Sequence, residues 1–244
     1  MRGLFLSLPI RYFPCMDFAE NLIRFFNELK SPEGIPKGIS LMNPFQDPEI
    51  LASASAFYRK FYSGSRPRIF ILGINPGRHG AGITGVPFTD PIRLEQVCGI
   101  PNKAEKKREL SSVFIYDLIS AYGGPVLFYS RFYLGAVCPL GLLKEGRNLN
   151  YYDRPDLEKC LLPWCAQALD AQLGFGLSRS TGICLGEDKN LKSLRKLNEK
   201  CGFFRKITGL PHPRFIMQYR LKRKQEFINR YLEALESAFE GLNH

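Results

Sequence analysis

An asparagine lies within a glycine-rich segment that directly follows an apolar run. The segment is ILGINPGRHGAGITGVPF, residues 71–88, in which Pro76 follows Asn75. Glycine at this density indicates that the backbone approaches another group closely, and proline favours an extended backbone in the residue before it. We therefore expect Asn75 to hold its carboxamide outward, where an uncharged amide can orient a water molecule. Simple turn formation is the alternative role for this asparagine.

Neither of the two common phosphate-binding motifs stands at the end of the apolar run. The segment contains no lysine, which a P-loop requires, and the GxGxxG pattern is absent at the strand end, since the only such spacing, GAGITG at 80–85, begins seven residues beyond Gly73. Its last five residues, TGVPF, place Phe88 on a loop shaped by Gly85 and Pro87. An aromatic ring on such a loop can stack on a flat base. An ordinary core position is the alternative for Phe88, because most phenylalanines are buried.

A second candidate group is His212, in the segment LPHPRFIMQYR at 210–220. Pro211 and Pro213 flank it and leave its backbone little freedom. Beyond it, apolar side chains alternate with cations, which suits a loop that enters a nucleic-acid duplex while it holds phosphates. These residues are Arg214, Phe215, Met217, Arg220, Lys222, Arg223 and Lys224. For the cations at 222–224, a solvated start of the last helix remains an equal alternative.

The elements that must position these groups alternate between strands and helices. Apolar spacing predicts helices at 17–30, 52–62, 106–122, 157–173, 190–200 and 219–239, strands at 68–72, 132–138, 181–185 and 206–210, and a loop at 31–50. This alternation predicts one α/β domain, a three-layer α/β/α sandwich around a parallel sheet of about four strands. The carboxyl ends of its strands bring together 75–88, 138–148 and 211–220, and ligands bind at that edge.

The charge of the chain favours a polyanionic partner. Its 244 residues include 34 Lys and Arg against 23 Asp and Glu, a formal net charge of +11. A membrane surface, the ribosome or no charged partner at all are the alternatives on charge alone. No segment approaches the roughly 20 continuous apolar residues of a membrane span, and Ser7, Pro9 and Arg11 interrupt the apolar N-terminus. We therefore predict a cytoplasmic protein with no membrane partner.

The cysteines favour neither disulfides nor a metal site. There are seven of them, an odd number, and no two form a CxxC pair. Zinc and iron–sulfur sites usually need such pairs, and disulfide frameworks usually need an even count. The sequence therefore predicts free thiols and neither a zinc nor an iron–sulfur site.

Three motifs together resemble the uracil-DNA glycosylase superfamily. They are GINPG with TGVPF at 73–77 and 84–88, Cys-Pro-Leu with Gly-Arg-Asn-Leu at 138–140 and 146–149, and His-Pro at 212–213. They follow one another as in the single-strand-selective monofunctional uracil-DNA glycosylases, and the resemblance covers roughly 68–235. The loop HPRFIMQYR differs from the HPSPRN of the main family, which favours its second, bacterial subgroup.

This resemblance implies the uracil-DNA glycosylase fold over 1–244, with 1–60 as an N-terminal helical and loop extension packed on it. It also implies a monomer that flips a base out of single- or double-stranded DNA and cleaves its N-glycosidic bond without metal or cofactor. Asn75 would orient the attacking water, Phe88 would stack on the base, and His212 would donate a hydrogen bond to it. Further substrate-binding candidates are Ile74, Gly77, Ala136, Cys138 and Pro139. The DNA-binding candidates are Pro76, Arg78, Arg147, Asn148, Pro213, Arg214, Phe215, Met217 and Arg220.

Two positions bear on the choice of base. The main family has an asparagine where this chain has Ala136, and that asparagine reads the Watson–Crick edge of uracil. Another branch has a bulky tyrosine where this chain has Gly77, which here leaves room for 5-substituted pyrimidines. Substrates beyond uracil, including xanthine and hypoxanthine, are therefore plausible. The alternatives are a non-catalytic nucleic-acid-binding protein with this fold and an enzyme of free nucleotides, which the absence of a phosphate loop disfavours.

Overall fold

The structure is a computed structural model that describes residues 17–242. The interrupted apolar N-terminus with Cys15, and His244 at the other end, lie outside the described residues. The strands are β1 (Ile39–Met42), β2 (Arg68–Gly73), β3 (Phe132–Ala136), β4 (Gly141–Lys144), β5 (Arg147–Leu149), β6 (Leu177–Leu185) and β7 (Lys206–Leu210). The α-helices are α1 (Phe18–Glu28), α2 (Pro48–Tyr62), α3 (Ala81–Thr84), α4 (Pro91–Gln96), α5 (Leu110–Ala121), α6 (Pro125–Arg131), α7 (Pro155–Gly174), α8 (Lys189–Cys201), α9 (Pro213–Tyr219) and α10 (Lys224–Glu240).

The central sheet contains four parallel strands in the order β3-β2-β6-β7. Every residue of β2 is buried, as expected of a strand that helices cover on both faces. Gly73 lies beside Ala136 in register, at the carboxyl ends of β2 and β3. The predicted α/β class with a four-stranded parallel sheet is confirmed. Since all four strands end at one edge, the loops that follow them share one side of the molecule.

A second, antiparallel sheet joins β1, β4 and β5. The prediction of a loop over 31–50 is wrong at β1, because strands of three or four partly exposed residues carry no recognisable period. Met42 lies beside Gly141 in its register. A side chain at Gly141 would come within 3.0 Å of the Pro76 carbonyl oxygen. The small sheet therefore supports the loop after β2 from outside.

The predicted last helix, 219–239, is two helices in the structure. α9 already begins at Pro213, and a 3-10 turn at Leu221–Arg223 separates it from α10. The break occurs because Arg220 leaves the helical backbone, with φ −134° and ψ 22°. The predicted helices omit α4 and α6, and α5 begins only at Leu110. Within 17–242 no single helix is long and apolar enough to span a bilayer; α5 and α6 qualify only as a pair bent by 94°.

A buried arginine joins the first two helices to the central sheet. Arg68, at the start of β2, is 3% exposed, and its guanidinium donates to the carbonyl oxygens of Tyr129 (2.9 Å) and Ser63 (3.1 Å). The Phe18 ring of α1 lies 4.9 Å from the guanidinium carbon, at cation–π distance. These contacts hold α1 and the end of α2 at the amino end of β2. α2 also supports the glycine-rich loop, because the Tyr58 hydroxyl donates to the Gly85 carbonyl oxygen at 3.0 Å. The predicted domain with an extension over 1–60 stays a prediction.

Candidate active site

A cavity of about 530 Å³ opens at the carboxyl edge of the central sheet. All three segments predicted to meet at this edge contribute to its wall, as parallel strands require. The predicted site residues that line it are Ile74, Asn75, Pro76, Gly77, Phe88, Ala136, Asn148, His212, Arg214 and Phe215. The structure thus brings together both candidate catalytic side chains, the candidate stacking ring and part of the candidate DNA-binding set.

Backbone groups of a distant segment hold the Asn75 carboxamide. Its Nδ2 donates to the Leu149 carbonyl oxygen at 3.1 Å, and its Oδ1 accepts from the Tyr151 N–H at 3.2 Å. A donor partner on one side and an acceptor partner on the other determine which way the amide faces. Oδ1 has a second lone pair beyond the one that Tyr151 uses. Asn75 can therefore accept a hydrogen bond from a water in the cavity without releasing either anchor.

The Phe88 ring packs against the end of β2. A Cβ at Gly73 would lie 2.7 Å from Phe88 Cζ, so this position has no room for a side chain. Phe88 itself has φ +55°, in the left-handed region that bulky residues rarely adopt. Such a conformation costs about 1–3 kcal/mol and persists where the surroundings impose it. The Thr84 hydroxyl donates to the Thr89 carbonyl oxygen at 2.7 Å and helps to impose it here.

His212 caps the short helix α9 and faces the ring of Phe88. Its Nδ1 accepts from the Arg214 N–H at 3.2 Å, and the two ring centroids are 6.0 Å apart. Because Nδ1 accepts, the proton of the neutral ring is on Nε2. Burial, and then the charge of Arg214, lower the pKa of His212 to about 4. At neutral pH the cavity therefore has an uncharged N–H donor at this point.

We expect the His212 ring to remain neutral from about pH 8 down to about pH 5.5 and to titrate near pH 4. Long-range 1H–15N NMR would follow its ring nitrogens, and a His212→Asn variant would identify its signals. The unfolded chain protonates this histidine first, so the free energy of unfolding should fall as pH drops from about 6.5 toward 4. The variant should lose less stability over that range. A midpoint near pH 6.5 would contradict the lowered pKa.

Two wall positions carry small residues. Ala136 ends β3 beside Gly73 and offers no polar side-chain group. At Gly77 a Cβ would meet only Asn148 Nδ2, at an ordinary 3.5 Å, and its φ is not in the left-handed region. Space, rather than backbone conformation, is therefore what Gly77 provides. These two positions leave room in the cavity wall that a larger side chain would fill.

Two substrate-binding candidates do not reach the cavity wall. Cys138 and Pro139 are buried, and the Cys138 thiol donates to the Leu140 carbonyl oxygen at 3.3 Å. The Cys138 N–H donates to the Ile74 carbonyl oxygen at 3.0 Å. This bond joins the segment that follows β3 to the segment that follows β2. The contribution of Cys138 and Pro139 in this structure is to the backbone of the loop after β2.

One rim of the cavity presents exposed rings from α9. Phe215 is 42% exposed and Tyr219 is 62% exposed, and their ring centroids are 5.7 Å apart. The guanidinium carbon of Arg220 lies 5.2 Å from the Phe215 ring. Of the other candidates here, Pro213 is buried and Met217 packs against the core. Tyr219 was not among the predicted site residues, although its spacing of four from Phe215 predicts one helix face.

Another part of the rim combines the loop after β2 with β5. The Arg78 N–H donates to Asn148 Oδ1 at 3.1 Å, and the Arg78 guanidinium donates to the Gly146 carbonyl oxygen. Arg78, Arg147 and Asn148 are all exposed. The cations of Arg78 and Arg147 therefore flank the cavity mouth without lining it, whereas the uncharged amide of Asn148 lines it.

A third wall was not predicted. The residues are Arg108, Glu109, Leu110 and Ser111, at the start of α5. Glu109 caps that helix, with Oε2 accepting from the Ser112 N–H at 2.8 Å. No local pattern identifies this wall, because α5 reaches the cavity only through tertiary packing. Among residues 17–242 no group of three or more His, Cys, Asp or Glu is placed to hold a metal ion.

The chain is similar to known proteins in both sequence and fold. Residues 60–236 match the uracil DNA glycosylase superfamily. The chain is 29% identical over 174 residues to the single-strand selective monofunctional uracil-DNA glycosylase of Rattus norvegicus. The matched region covers 62% of this chain and 61% of the rat protein, which is less than two thirds of its length. The crystal structure of wild-type Pedobacter heparinus SMUG2 is similar with a TM-score of 0.88 and 43% identity, covering 91% of this chain and 98% of that one.

Proposed function

The chain belongs to the uracil DNA glycosylase superfamily, and we propose that it is a monofunctional DNA glycosylase that excises deaminated or damaged bases at the start of base-excision repair. The resemblance to the single-strand-selective monofunctional family is confirmed. One observation carries the proposal: Asn75 and His212 face the same cavity from separate loops, with the Phe88 ring beside them. The protein acts as a monomer on lesion-containing DNA, without metal or cofactor.

The proposed reaction breaks the bond between C1′ of deoxyribose and the base nitrogen. The bonding electrons leave with the base, and the sugar develops oxocarbenium character. A water held by Asn75 Oδ1 adds its oxygen to C1′ and gives up a proton, and the departing base anion takes up a proton. No lysine of the described residues lines the cavity, which supports direct attack by water rather than a Schiff base.

His212 stabilises the departing base. Its Nε2–H is aimed at the negative charge that develops on the base, as a preorganised donor is in an oxyanion hole. The ring is neutral because burial disfavours its charged form. A neutral donor suffices, since the base carries the charge and the low-polarity cavity strengthens the hydrogen bond. Phe88 holds the flipped base by stacking.

The substrate range extends beyond uracil. Ala136 offers no amide to the Watson–Crick edge of the base. Backbone groups of Ile74 and Phe88 therefore form part of the hydrogen bonds that recognise this edge. Gly77 leaves space for a substituent on the pyrimidine. We therefore propose uracil, 5-hydroxymethyluracil and the deaminated purines xanthine and hypoxanthine as the candidate substrates.

The rim residues contact the DNA around the extruded base. The exposed rings of Phe215 and Tyr219, with Arg220 above one of them, suit insertion into the gap that the flipped nucleotide leaves. Arg78 and Arg147 on the other rim suit phosphate contacts. Kinking and unstacking the duplex costs a few kcal/mol, which these contacts offset.

A panel of labelled oligonucleotides tests the function. The protein is incubated without added metal with single- and double-stranded DNA that contains uracil, hydroxymethyluracil, xanthine or hypoxanthine, and abasic sites are then cleaved with alkali. Breaks at a lesion, absent in an Asn75→Ala/His212→Ala double variant, are the expected result. Tight DNA binding without breaks at any lesion would instead favour a non-catalytic binding protein.

Filling the space at Gly77 should narrow the substrate range. We expect Gly77→Tyr to lower excision of 5-hydroxymethyluracil about 10²-fold more than excision of uracil, because the ring would occupy the volume of the 5-substituent. Single-turnover rates on both lesions measure this. Gly77→Ala is the matched control, and it should behave as wild type, since its Cβ fits at 3.5 Å from Asn148. An equal loss on both bases would show that Gly77 does not set the choice.

A further inference from the structure

Helix α8 carries a row of cations outside the cavity. Its 13 residues, KNLKSLRKLNEKC, contain five Lys or Arg and a single acid, Glu199. The cations are Lys189, Lys192, Arg195, Lys196 and Lys200, all exposed. Leu191, Leu194 and Leu197 bury the other face. We call these five cations the α8 ridge.

The α8 ridge is electrostatically unfavourable for the helix itself. Lys192 is three residues from Lys189 and four from Lys196, spacings at which like charges repel. Lys189 and Lys192 are also in the first turn, where the helix dipole disfavours cations, and no side chain caps that end. Within the described residues, none of the five forms an ion pair with an acid. Their charges are therefore available to a partner.

The α8 ridge begins beside the candidate active site. Asn190 Nδ2 donates to the Gly73 carbonyl oxygen at 3.3 Å and to that of Leu185 at 3.0 Å. Its Oδ1 accepts from the Tyr151 hydroxyl at 2.9 Å, and the Tyr151 N–H anchors Asn75. Because β6 and β7 are parallel, α8 runs back from this edge toward the amino end of the sheet, over about 20 Å.

We propose that the α8 ridge binds the phosphates of a single-stranded DNA flank that leaves the cavity. The inference rests on the proposed glycosylase function. A duplex is stiff over about 150 base pairs, so one that crosses the cavity cannot also turn along a helix that runs away from the edge. A single strand can bend and follow it. The cations then contact successive phosphates regardless of base sequence, which strengthens binding to lesions in single-stranded DNA.

Binding as a function of salt tests the α8 ridge. The variant is Lys192→Gln/Arg195→Gln/Lys196→Gln, in an Asn75→Ala background so that turnover does not intervene. With a 30-nucleotide uracil strand, we expect the slope of log K against log salt to flatten by about 2, at roughly 0.7 per lost phosphate contact. Affinity near 0.1 M salt should fall about 10- to 100-fold. Affinity for a 5-nucleotide strand and for a 30-base-pair duplex should stay unchanged.

Matched variants distinguish the effect of losing cations on α8 from the effects of lower net charge and of lower stability. Lys30→Gln/Lys37→Gln/Arg66→Gln removes three exposed cations elsewhere and should leave the slope as it was. Lys192→Arg/Lys196→Arg, which keeps both charges, should bind as the wild type does. The melting temperature of the Lys192→Gln/Arg195→Gln/Lys196→Gln variant should not fall, because repulsion within α8 is relieved. An unchanged slope, an equal loss in the control triple, or an equal loss on duplex would each overturn the proposal. Absence of excision by the wild type would contradict only the glycosylase function.

Discussion

Asn75→Ala should lower the single-turnover rate of base excision by on the order of 10³-fold, while DNA affinity changes little. Asn75 Oδ1 holds the water only as it attacks C1′, so the lost interaction belongs to the transition state rather than to the bound substrate. The backbone anchors at Leu149 and Tyr151 keep the amide in place before substrate arrives. Rapid-quench excision with enzyme in excess, beside anisotropy binding, measures both quantities.

Asn148→Ala is the matched control for Asn75. It removes the same side chain from the same cavity wall, at a point where the amide contacts the Arg78 backbone N–H. We expect that variant to weaken DNA binding moderately and to leave the single-turnover rate at saturation near the wild-type value. Equal rates in the two variants, or a wild-type rate for Asn75→Ala, would remove Asn75 from the proposed chemistry.

The second large effect concerns His212, the proposed hydrogen-bond donor to the departing base. His212→Asn should slow excision about 10²- to 10³-fold, the usual loss when one donor to a developing anion is removed. Asparagine is a good N-cap, so its Oδ1 can replace Nδ1 as the acceptor for the Arg214 N–H. It cannot reach the base as Nε2–H does, because its side chain is shorter. Excision should therefore fall while α9 stays intact.

His212→Ala distinguishes the cap from the donor. It removes both, so its excision rate should match that of His212→Asn while its free energy of unfolding drops by about 1 kcal/mol. That loss lowers the melting temperature by roughly 2–4 °C. Urea unfolding and single-turnover rates on the three proteins give the comparison. If the excision rates instead followed the free energies of unfolding, so that His212→Asn excised bases at close to the wild-type rate, His212 would have only a structural role.

α9 connects two parts of the proposed mechanism. Its N-cap supplies the His212 donor, and it presents the exposed ring of Phe215 about one turn later and that of Tyr219 about two turns later. A side chain inserted into DNA would therefore press on the same seven-residue helix that orients the donor. Since Pro213 is buried and Ile216 packs in the core, the helix transmits little movement. Insertion and catalysis thus have a common rigid support.

The amino-acid sequence by itself determined the sheet and the main groups of the cavity. The strands and helices alternate with local periods, and each period depends only on neighbouring residues, so the four parallel strands could be predicted. Asn75, Phe88 and His212 lie in short motifs whose glycines and prolines restrict the backbone locally. Parallel strands end at one edge, which is why three distant motifs were expected to form one site.

Tertiary structure alone decided how these groups are held and what else surrounds them. Asn75 is oriented by backbone groups 74 and 76 residues further along the chain, and no local pattern encodes that distance. The short strands β1, β4 and β5 and the wall at the start of α5 likewise arise from packing between remote segments. The proton on Nε2 of His212 and its lowered pKa follow from burial and a backbone N–H, and burial is a property of the whole fold.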